Sequence, residues 1–159
     1  MGKIQENILI LNGHDLTTDD VYRVAVSKQQ VAFSDDARGK MRASFELVKK
    51  IAASGKASYG ISTGFGEMSK VYISEENNAE LQHNLIVSHA CGVGEAFPEA
   101  ASRAIILLRL NTLASGYSGV NPKVTDLLMS CLNANVLPII PQQGSLGASG
   151  DLANLAHMA

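Results

Sequence analysis

The spacing of apolar residues along the chain predicts a mainly α protein with a few short strands. Apolar side chains recur every three or four residues over long stretches, and a capping residue begins most of them. The predicted helices cover residues 17–26, 34–54, 74–92, 98–115, 121–133 and the stretch from 151 onward. Short extended segments are predicted at 7–11, 31–33 and 136–141, where apolar or β-branched residues cluster next to turn residues.

The helix predicted over 98–115 is apolar on nearly every side between Ala104 and Leu113. A helix without a polar face has to be buried, either inside a bundle or at a subunit interface. Arg103 and Arg109 interrupt the apolar run, and we expect them to be paired structural charges and not site residues.

Composition narrows the class of protein. The chain has 159 residues, is 46% hydrophobic and carries a net charge of −2. This is a one-domain length with enough apolar residues for a core, and the charge argues against nucleic-acid or membrane-surface binding. The sequence contains no signal-peptide or transmembrane pattern. Cys91 and Cys131 lack a spacing motif, which favours a reducing, cytoplasmic location.

His83 and His89 lie on different helix faces without an acidic or cysteine partner, so no metal site is expected.

The stretch Gly144-Ser-Leu-Gly-Ala-Ser-Gly-Asp-Leu152 is the richest in candidate chemistry. A glycine- and serine-rich loop before a helix is most often a plain turn or an anion site. The triplet Ala148-Ser149-Gly150 also has the steric requirements for backbone cyclisation. The amide nitrogen of Gly150 would attack the carbonyl carbon of Ala148, and dehydration of Ser149 would leave an electrophilic methylidene group.

This string resembles the signature of the aromatic amino acid ammonia-lyases, a family that includes histidine, phenylalanine and tyrosine ammonia-lyases and related aminomutases. The resemblance implies a methylidene-imidazolone (MIO) formed autocatalytically from Ala148, Ser149 and Gly150, with no external cofactor. Asn154 departs from the proline that many members carry, but it lies beyond the triplet.

A second glycine-rich stretch, Ser58-Tyr-Gly-Ile-Ser-Thr-Gly-Phe-Gly66, lies between two helix patterns and on its own predicts a mobile surface connector. It is similar to the family's lid loop. The resemblance assigns the catalytic base to Tyr59 and places Gly66 in the pocket lining. Because a phenol is a weak base at neutral pH, the role would need nearby positive charge or hydrogen bonding.

The segment 82–94 is similar to a third family segment, in which a Ser-His pair lies at the substrate's side-chain pocket. That role corresponds to Ser88 and His89. A polar side chain at position 89 suits an imidazole or phenol ring better than a phenyl ring, so L-histidine is the favoured substrate.

The resemblance implies an N-terminal MIO-bearing domain of a helical-bundle ammonia-lyase over residues 1–159, truncated at its C-terminal end. The reaction expected is elimination of ammonia from an aromatic L-amino acid, here L-histidine to trans-urocanate. Ser149 would contribute the electrophile, and Tyr59 would remove a proton from the β-carbon. The full-length form is expected to be a homotetramer. A tyrosine or phenylalanine ammonia-lyase, a 2,3-aminomutase, and an inactive fragment or interaction domain remain as alternatives.

Overall fold

The computed structural model describes residues 8–54, 58–61, 63, 75–147 and 150–159. The chain divides into two compact units. Unit 1 comprises Met1–Leu47 with Pro98–Leu137, and unit 2 comprises Val48–Phe97 with Pro138–Ala159. That residues 1–159 form a single N-terminal domain stays a prediction.

Helices dominate the described residues, as the sequence pattern predicts. The elements in chain order are β1 (Leu9–Leu11), α1 (Thr18–Ala25), β2 (Val31–Phe33), α2 (Asp35–Ala53), α3 (Glu75–His89), β3 (Val93–Ala96), α4 (Glu99–Ala114), α5 (Pro122–Asn133), β4 (Pro141–Gln143) and α6 (Leu152–Met158). No helix in this described part is both long enough and apolar enough to cross a membrane.

Local capping explains where several helices begin. Thr17 and Asp20 form a reciprocal capping box at the start of α1. The side chains of Ser34 and Asn121 accept hydrogen bonds from backbone N–H groups in the first turns of α2 and α5. Pro98, expected at the first helical position of α4, lies one residue before it and makes no side-chain cap bond.

The two strands of unit 1 pair in parallel, with Leu9 opposite Val31 and Leu11 opposite Phe33. The side chain of Asn133, at the end of α5, completes the other side of β2. Its Oδ1 accepts from the Val31 N–H and its Nδ2 donates to the Val31 carbonyl, both at 2.9 Å. A single amide side chain thus satisfies two backbone groups that would otherwise lack sheet partners.

Unit 2 contains a strand pair that the sequence pattern did not predict. β3 and β4 pair antiparallel, with Val93 opposite Gln143 and Ala96 opposite Pro141. The extended segment expected at 136–141 is shifted, because regular pairing begins only at Pro141. The Gln142 side chain adds a bond from Nε2 to the Ala96 carbonyl at 3.0 Å. This pairing places the loop that follows β4 beside the segment that follows α3.

Helix α4 provides much of the core of unit 1. The buried apolar residues of this unit include Leu11, Val24, Val31, Phe33, Ile106, Leu107, Leu110, Leu113, Ala114 and Leu132. Leu108 is the exception on α4, with half of its surface exposed. The prediction of a buried α4 is confirmed for Ile106, Leu107, Leu110, Leu113 and Ala114.

Arg103 lies in the core of unit 1 with 2% of its surface exposed. Its Nε donates to the Val24 carbonyl, and its Nη1 donates to the Leu132 carbonyl and to Asn135 Oδ1, at 2.7 to 2.9 Å. Burial lowers the pKa of the Arg103 guanidinium, while the negative charge of Glu99 opposes that shift. Because both carbonyls lie at helix C-termini, the cation meets the negative ends of two helix dipoles. This confirms a structural role for Arg103.

Replacing Arg103 by methionine should destabilise the protein by about 2–4 kcal/mol, since a buried carbonyl at the end of α1 loses its partner. Arg42→Met is the matched control, because Arg42 is exposed on α2, and it should change stability by less than about 0.5 kcal/mol. Urea denaturation of both variants measures the difference. Equal unfolding free energies would show that Arg103 does not hold the helix ends together.

Candidate active site

Unit 2 contains a cavity of about 240 Å³ between the end of α3, the loop after β4 and the start of α6. Its lining residues are Ser88, His89, Cys91, Gly144, Ser145, Leu146, Gly147, Asp151, Leu152 and Ala153. The cavity thus brings the Ser-His pair predicted to contact substrate next to both flanks of the predicted ring-forming triplet.

The last turn of α3 fixes the orientation of His89. Its Nδ1 lies 2.7 Å from the Leu85 carbonyl oxygen and 3.1 Å from Ser88 Oγ, and Ser88 Oγ also donates to the Leu85 carbonyl at 2.8 Å. A carbonyl oxygen can only accept, so Nδ1 carries the hydrogen. In the neutral imidazole, Nε2 is then left as a hydrogen-bond acceptor.

The backbone of Gly92, after α3, is in close contact with three other segments of unit 2. Its N–H donates to His157 Nε2 on α6 at 2.9 Å. A Cβ at position 92 would lie 2.8 Å from that nitrogen and 3.1 Å from Pro141 Cβ. A Cβ at position 144, where φ is +127°, would lie 3.0 Å from Gly92 Cα. Side chains at either glycine would therefore separate these segments.

The loop that contains the triplet is closed by a bond between its ends. Ser145 Oγ donates to Asp151 Oδ1 at 2.6 Å. Asp151 adopts left-handed angles, φ 55° and ψ 48°, and immediately precedes α6 without making a side-chain cap bond. Its carbonyl instead accepts from the Leu155 N–H at 3.2 Å, which begins the helix. The carboxylate therefore closes the loop and does not cap the helix.

Gly150 is the one member of the triplet that the structure describes. Its φ is +98°, and a Cβ there would meet no atom of the described residues within 4 Å, chain neighbours excluded. Backbone conformation, and not crowding by those residues, is the observed reason for glycine at this position. Ala148 and Ser149 lie outside the described residues.

Tyr59, the predicted base, lies in a turn closed by a hydrogen bond from the Ile61 N–H to the Ser58 carbonyl at 3.0 Å. Its side chain is 67% exposed. It is not among the cavity-lining residues found in the described part of unit 2. Gly66, predicted to line the pocket, falls outside the described residues, so the roles of both residues stay predictions.

Two residues near the cavity were given no role from the sequence. Asp151 could have been noticed as an acid directly before a helix, although its bond to Ser145 is not a cap. His157 gives no local signal, because its partner Gly92 is 65 residues away in sequence. Over the described ranges, the structure contains no group of three or more His, Cys, Asp or Glu residues that could hold a metal ion.

The sequence matches the family model of the aromatic amino acid lyases over residues 16–159. The chain belongs to this family. It is 56% identical over 149 residues to a histidine ammonia-lyase of Treponema denticola, covering 94% of this chain and 29% of that protein. The chain thus spans less than a third of the length of this curated relative.

Solved structures of aromatic amino acid lyase relatives share the fold. The ergothionase of Treponema denticola has a TM-score of 0.90 at 36% sequence identity. The match covers 95% of this chain and 30% of the ergothionase chain. The tyrosine aminomutase of Streptomyces globisporus has a TM-score of 0.88 at 40% identity, covering 94% and 28%. The helical fold is therefore shared with relatives that have different named activities.

The close approach at Gly144 predicts opposite effects of two glycine-to-alanine changes. Gly144→Ala should destabilise the protein by about 1–3 kcal/mol, since its φ and the nearby backbone of Gly92 disfavour a Cβ. Gly39→Ala is the matched control, because Gly39 lies on α2 and, among the described residues, no atom outside its own helix backbone and chain neighbours lies within 4 Å of its Cβ position. It should stabilise by about 0.5–1 kcal/mol. Thermal unfolding of both variants measures the change in stability. If both changes stabilise the protein, the close packing at Gly144 is contradicted.

Proposed function

We propose that this chain is part of an ammonia-lyase that eliminates ammonia from an aromatic L-amino acid, with L-histidine to trans-urocanate as the favoured reaction. The observation that carries the proposal is the cavity in unit 2, where Ser88 and His89 face Gly147 and Asp151 on the two sides of the triplet. The identity to a histidine ammonia-lyase supports the choice of reaction.

The backbone on both sides of Ala148 and Ser149 supports the proposal of a self-formed ring from Ala148, Ser149 and Gly150. Gly147 and Gly150 have φ values of +72° and +98°, and Asp151 is left-handed, so the described residues around the triplet turn tightly. Such angles favour glycine and are tolerated by aspartate. When formed, the methylidene-imidazolone would supply an electrophile that makes ammonia a better leaving group.

The other residues would bind the substrate and move protons. Tyr59 is proposed to take the proton from the β-carbon of the substrate, and Gly66 to line the pocket. Ser88 is proposed to hold His89, since its hydroxyl lies 3.1 Å from His89 Nδ1. The phenol of Tyr59 is exposed in this chain. To act as the base, Tyr59 would have to lie close to the cavity in the complete protein, or another part of that protein would have to cover it.

The hydrogen bonding of His89 supports a substrate whose ring carries a donor. With Nδ1 directed at the Leu85 carbonyl, Nε2 is the nitrogen available to accept. An imidazole N–H or a phenol O–H could donate to it, whereas a phenyl ring could not. An unpaired polar group in a closed site is costly, so phenylalanine should be the poorest of the three substrates.

A tyrosine-specific lyase or a 2,3-aminomutase is the second candidate, favoured by the 40% identity to a tyrosine aminomutase. A phenol would satisfy the same acceptor on His89. The assembly proposed for the complete protein is a homotetramer, and the location proposed is cytoplasmic. The latter is supported by two free cysteines, Cys91 and Cys131.

The Ser149→Ala variant tests the ring and the reaction together. The complete wild-type protein should be lighter than its encoded mass by two water molecules, one from ring closure and one from dehydration of Ser149. It should release ammonia from L-histidine faster than from L-tyrosine or L-phenylalanine. The variant should have its encoded mass and no measurable turnover, whereas Ser27→Ala, at an exposed serine, should match the wild type. An unshifted wild-type mass would remove the basis of the proposal.

Tyr59→Phe should lower turnover by about 10²–10⁴-fold, the usual cost of losing a general base, without changing the mass loss. Tyr22→Phe is the control, because Tyr22 is an exposed tyrosine of unit 1. Steady-state assays of ammonia release compare the two variants. Near wild-type turnover in Tyr59→Phe would mean that another residue acts as the base.

A further inference from the structure

His157 on α6 lies against the segment that joins α3 to β3, yet the proposed reaction gives it no role. The Gly92 N–H donates to its Nε2 at 2.9 Å. A backbone N–H can only donate, so Nε2 must be unprotonated and act as the acceptor. The imidazole therefore connects α6 to the segment after α3 through a hydrogen bond in which Nε2 is the acceptor.

The contact is tight because position 92 is a glycine. A Cβ there would lie 2.8 Å from His157 Nε2 and 3.1 Å from its Cδ2. The ring therefore packs directly on backbone, where it cannot shift toward Gly92. The hydrogen bond combined with this packing restrains the direction in which α6 leaves the loop.

The other end of the loop is restrained at the same point. Gly144 packs so closely that a Cβ on it would lie 3.0 Å from Gly92 Cα and 3.3 Å from the Cys91 carbonyl oxygen. The bond from Ser145 to Asp151 joins the two ends of the loop to each other. The segments before and after the triplet are thus both anchored on Gly92, one by close packing and the other through His157.

We propose that His157 is a positioning residue for ring formation at Ala148-Ser149-Gly150. By holding α6 on Gly92, it fixes the downstream end of the loop while Gly144 fixes the upstream end. This inference rests on the proposed function, since it concerns the formation of the same ring.

Ring formation needs such positioning because it is an attack within one short loop. The Gly150 nitrogen forms a bond to the Ala148 carbonyl carbon. The carbonyl oxygen leaves as water with the amide hydrogens of Gly150 and Ser149. A second water takes the Ser149 hydroxyl and Cα hydrogen, and no oxidant or reductant is required. The rate of such a reaction depends steeply on how well its reacting atoms are held together.

Three variants of the complete protein test the role of the His157 acceptor. His157→Leu removes the acceptor and puts an apolar side chain in its place. His157→Gln instead retains an oxygen that can accept from the Gly92 N–H. His83→Leu is the control for the substitution itself, because His83 is an exposed histidine on α3. Each protein is made by cell-free synthesis, and intact mass measured over time gives the rate at which two water molecules are lost.

We expect His157→Leu to slow ring formation by at least about 10-fold, while His157→Gln and His83→Leu stay within about 3-fold of the wild type. Thermal unfolding of the mature or unreacted proteins separates this effect from general destabilisation. A wild-type rate in His157→Leu, or equal slowing in the leucine and glutamine variants, would overturn the proposal. A wild-type protein that never loses water would instead refute the proposed function.

Gly92→Ala supplies an independent route to the same contact, since its Cβ would displace the imidazole. It should slow ring formation by a similar factor. In the Gly92→Ala/His157→Leu double variant, the two effects should be less than multiplicative, because both variants disrupt the Gly92–His157 contact, although the added Cβ also crowds Pro141. Fully multiplicative effects would contradict the shared contact. If His157→Leu fails to fold, the rates of His157→Gln and Gly92→Ala decide: a slow Gln variant or a fast Gly92→Ala variant refutes the role of His157.

Discussion

The lack of a side chain at Gly92 is the constraint on which the candidate site depends. Its N–H bonds to an imidazole 65 residues further along the chain, and its Cα lies where a side chain at Gly144 would collide. Pro141 packs on the same position from β4. Because these contacts are made to backbone, they leave little freedom for adjustment. His89, Gly144 and Asp151 all line the cavity beside this arrangement.

In unit 1, polar side chains form hydrogen bonds with backbone groups at the ends of helices and at the edge of a strand. The Arg103 guanidinium bonds to carbonyls at the C-termini of two helices, and the Asn133 amide bonds to both backbone groups of Val31. Such groups are costly to bury without partners. Polar side chains from distant parts of the sequence therefore complete the hydrogen bonding around an otherwise apolar core.

Most helices could be predicted because their signals are local. Thr17 caps α1 and Asn121 caps α5 through bonds within the first turns, so a short window of sequence contains the information. The pairing of β3 with β4 joins Val93 to Gln143, and neither strand has the apolar alternation that marks strands in sequence. Tertiary pairing determines these strands, which explains why the extended segment was predicted too early in the chain.

The candidate site shows the same division between local and distant information. Glycine and serine content identified the loop, and the resemblance to the aromatic amino acid lyases assigned roles to His89 and Tyr59. The tautomer of His89 depends on the Leu85 carbonyl one turn earlier, but it follows only from the short distance between that oxygen and His89 Nδ1 in the folded chain. The contact of His157 with Gly92 joins residues that share no pattern. Long-range contacts of this kind become visible only in the folded chain.

The proposed function requires the loop anchored on Gly92 to convert its own backbone into an electrophile. Mass spectrometry of proteolytic peptides from the complete protein tests it most directly, because fragmentation locates a mass change within a peptide. Both lost water molecules should map to Ala148-Ser149-Gly150 in the peptide that spans residues 144–155. A peptide of unmodified mass, or water loss located elsewhere in the chain, would contradict it.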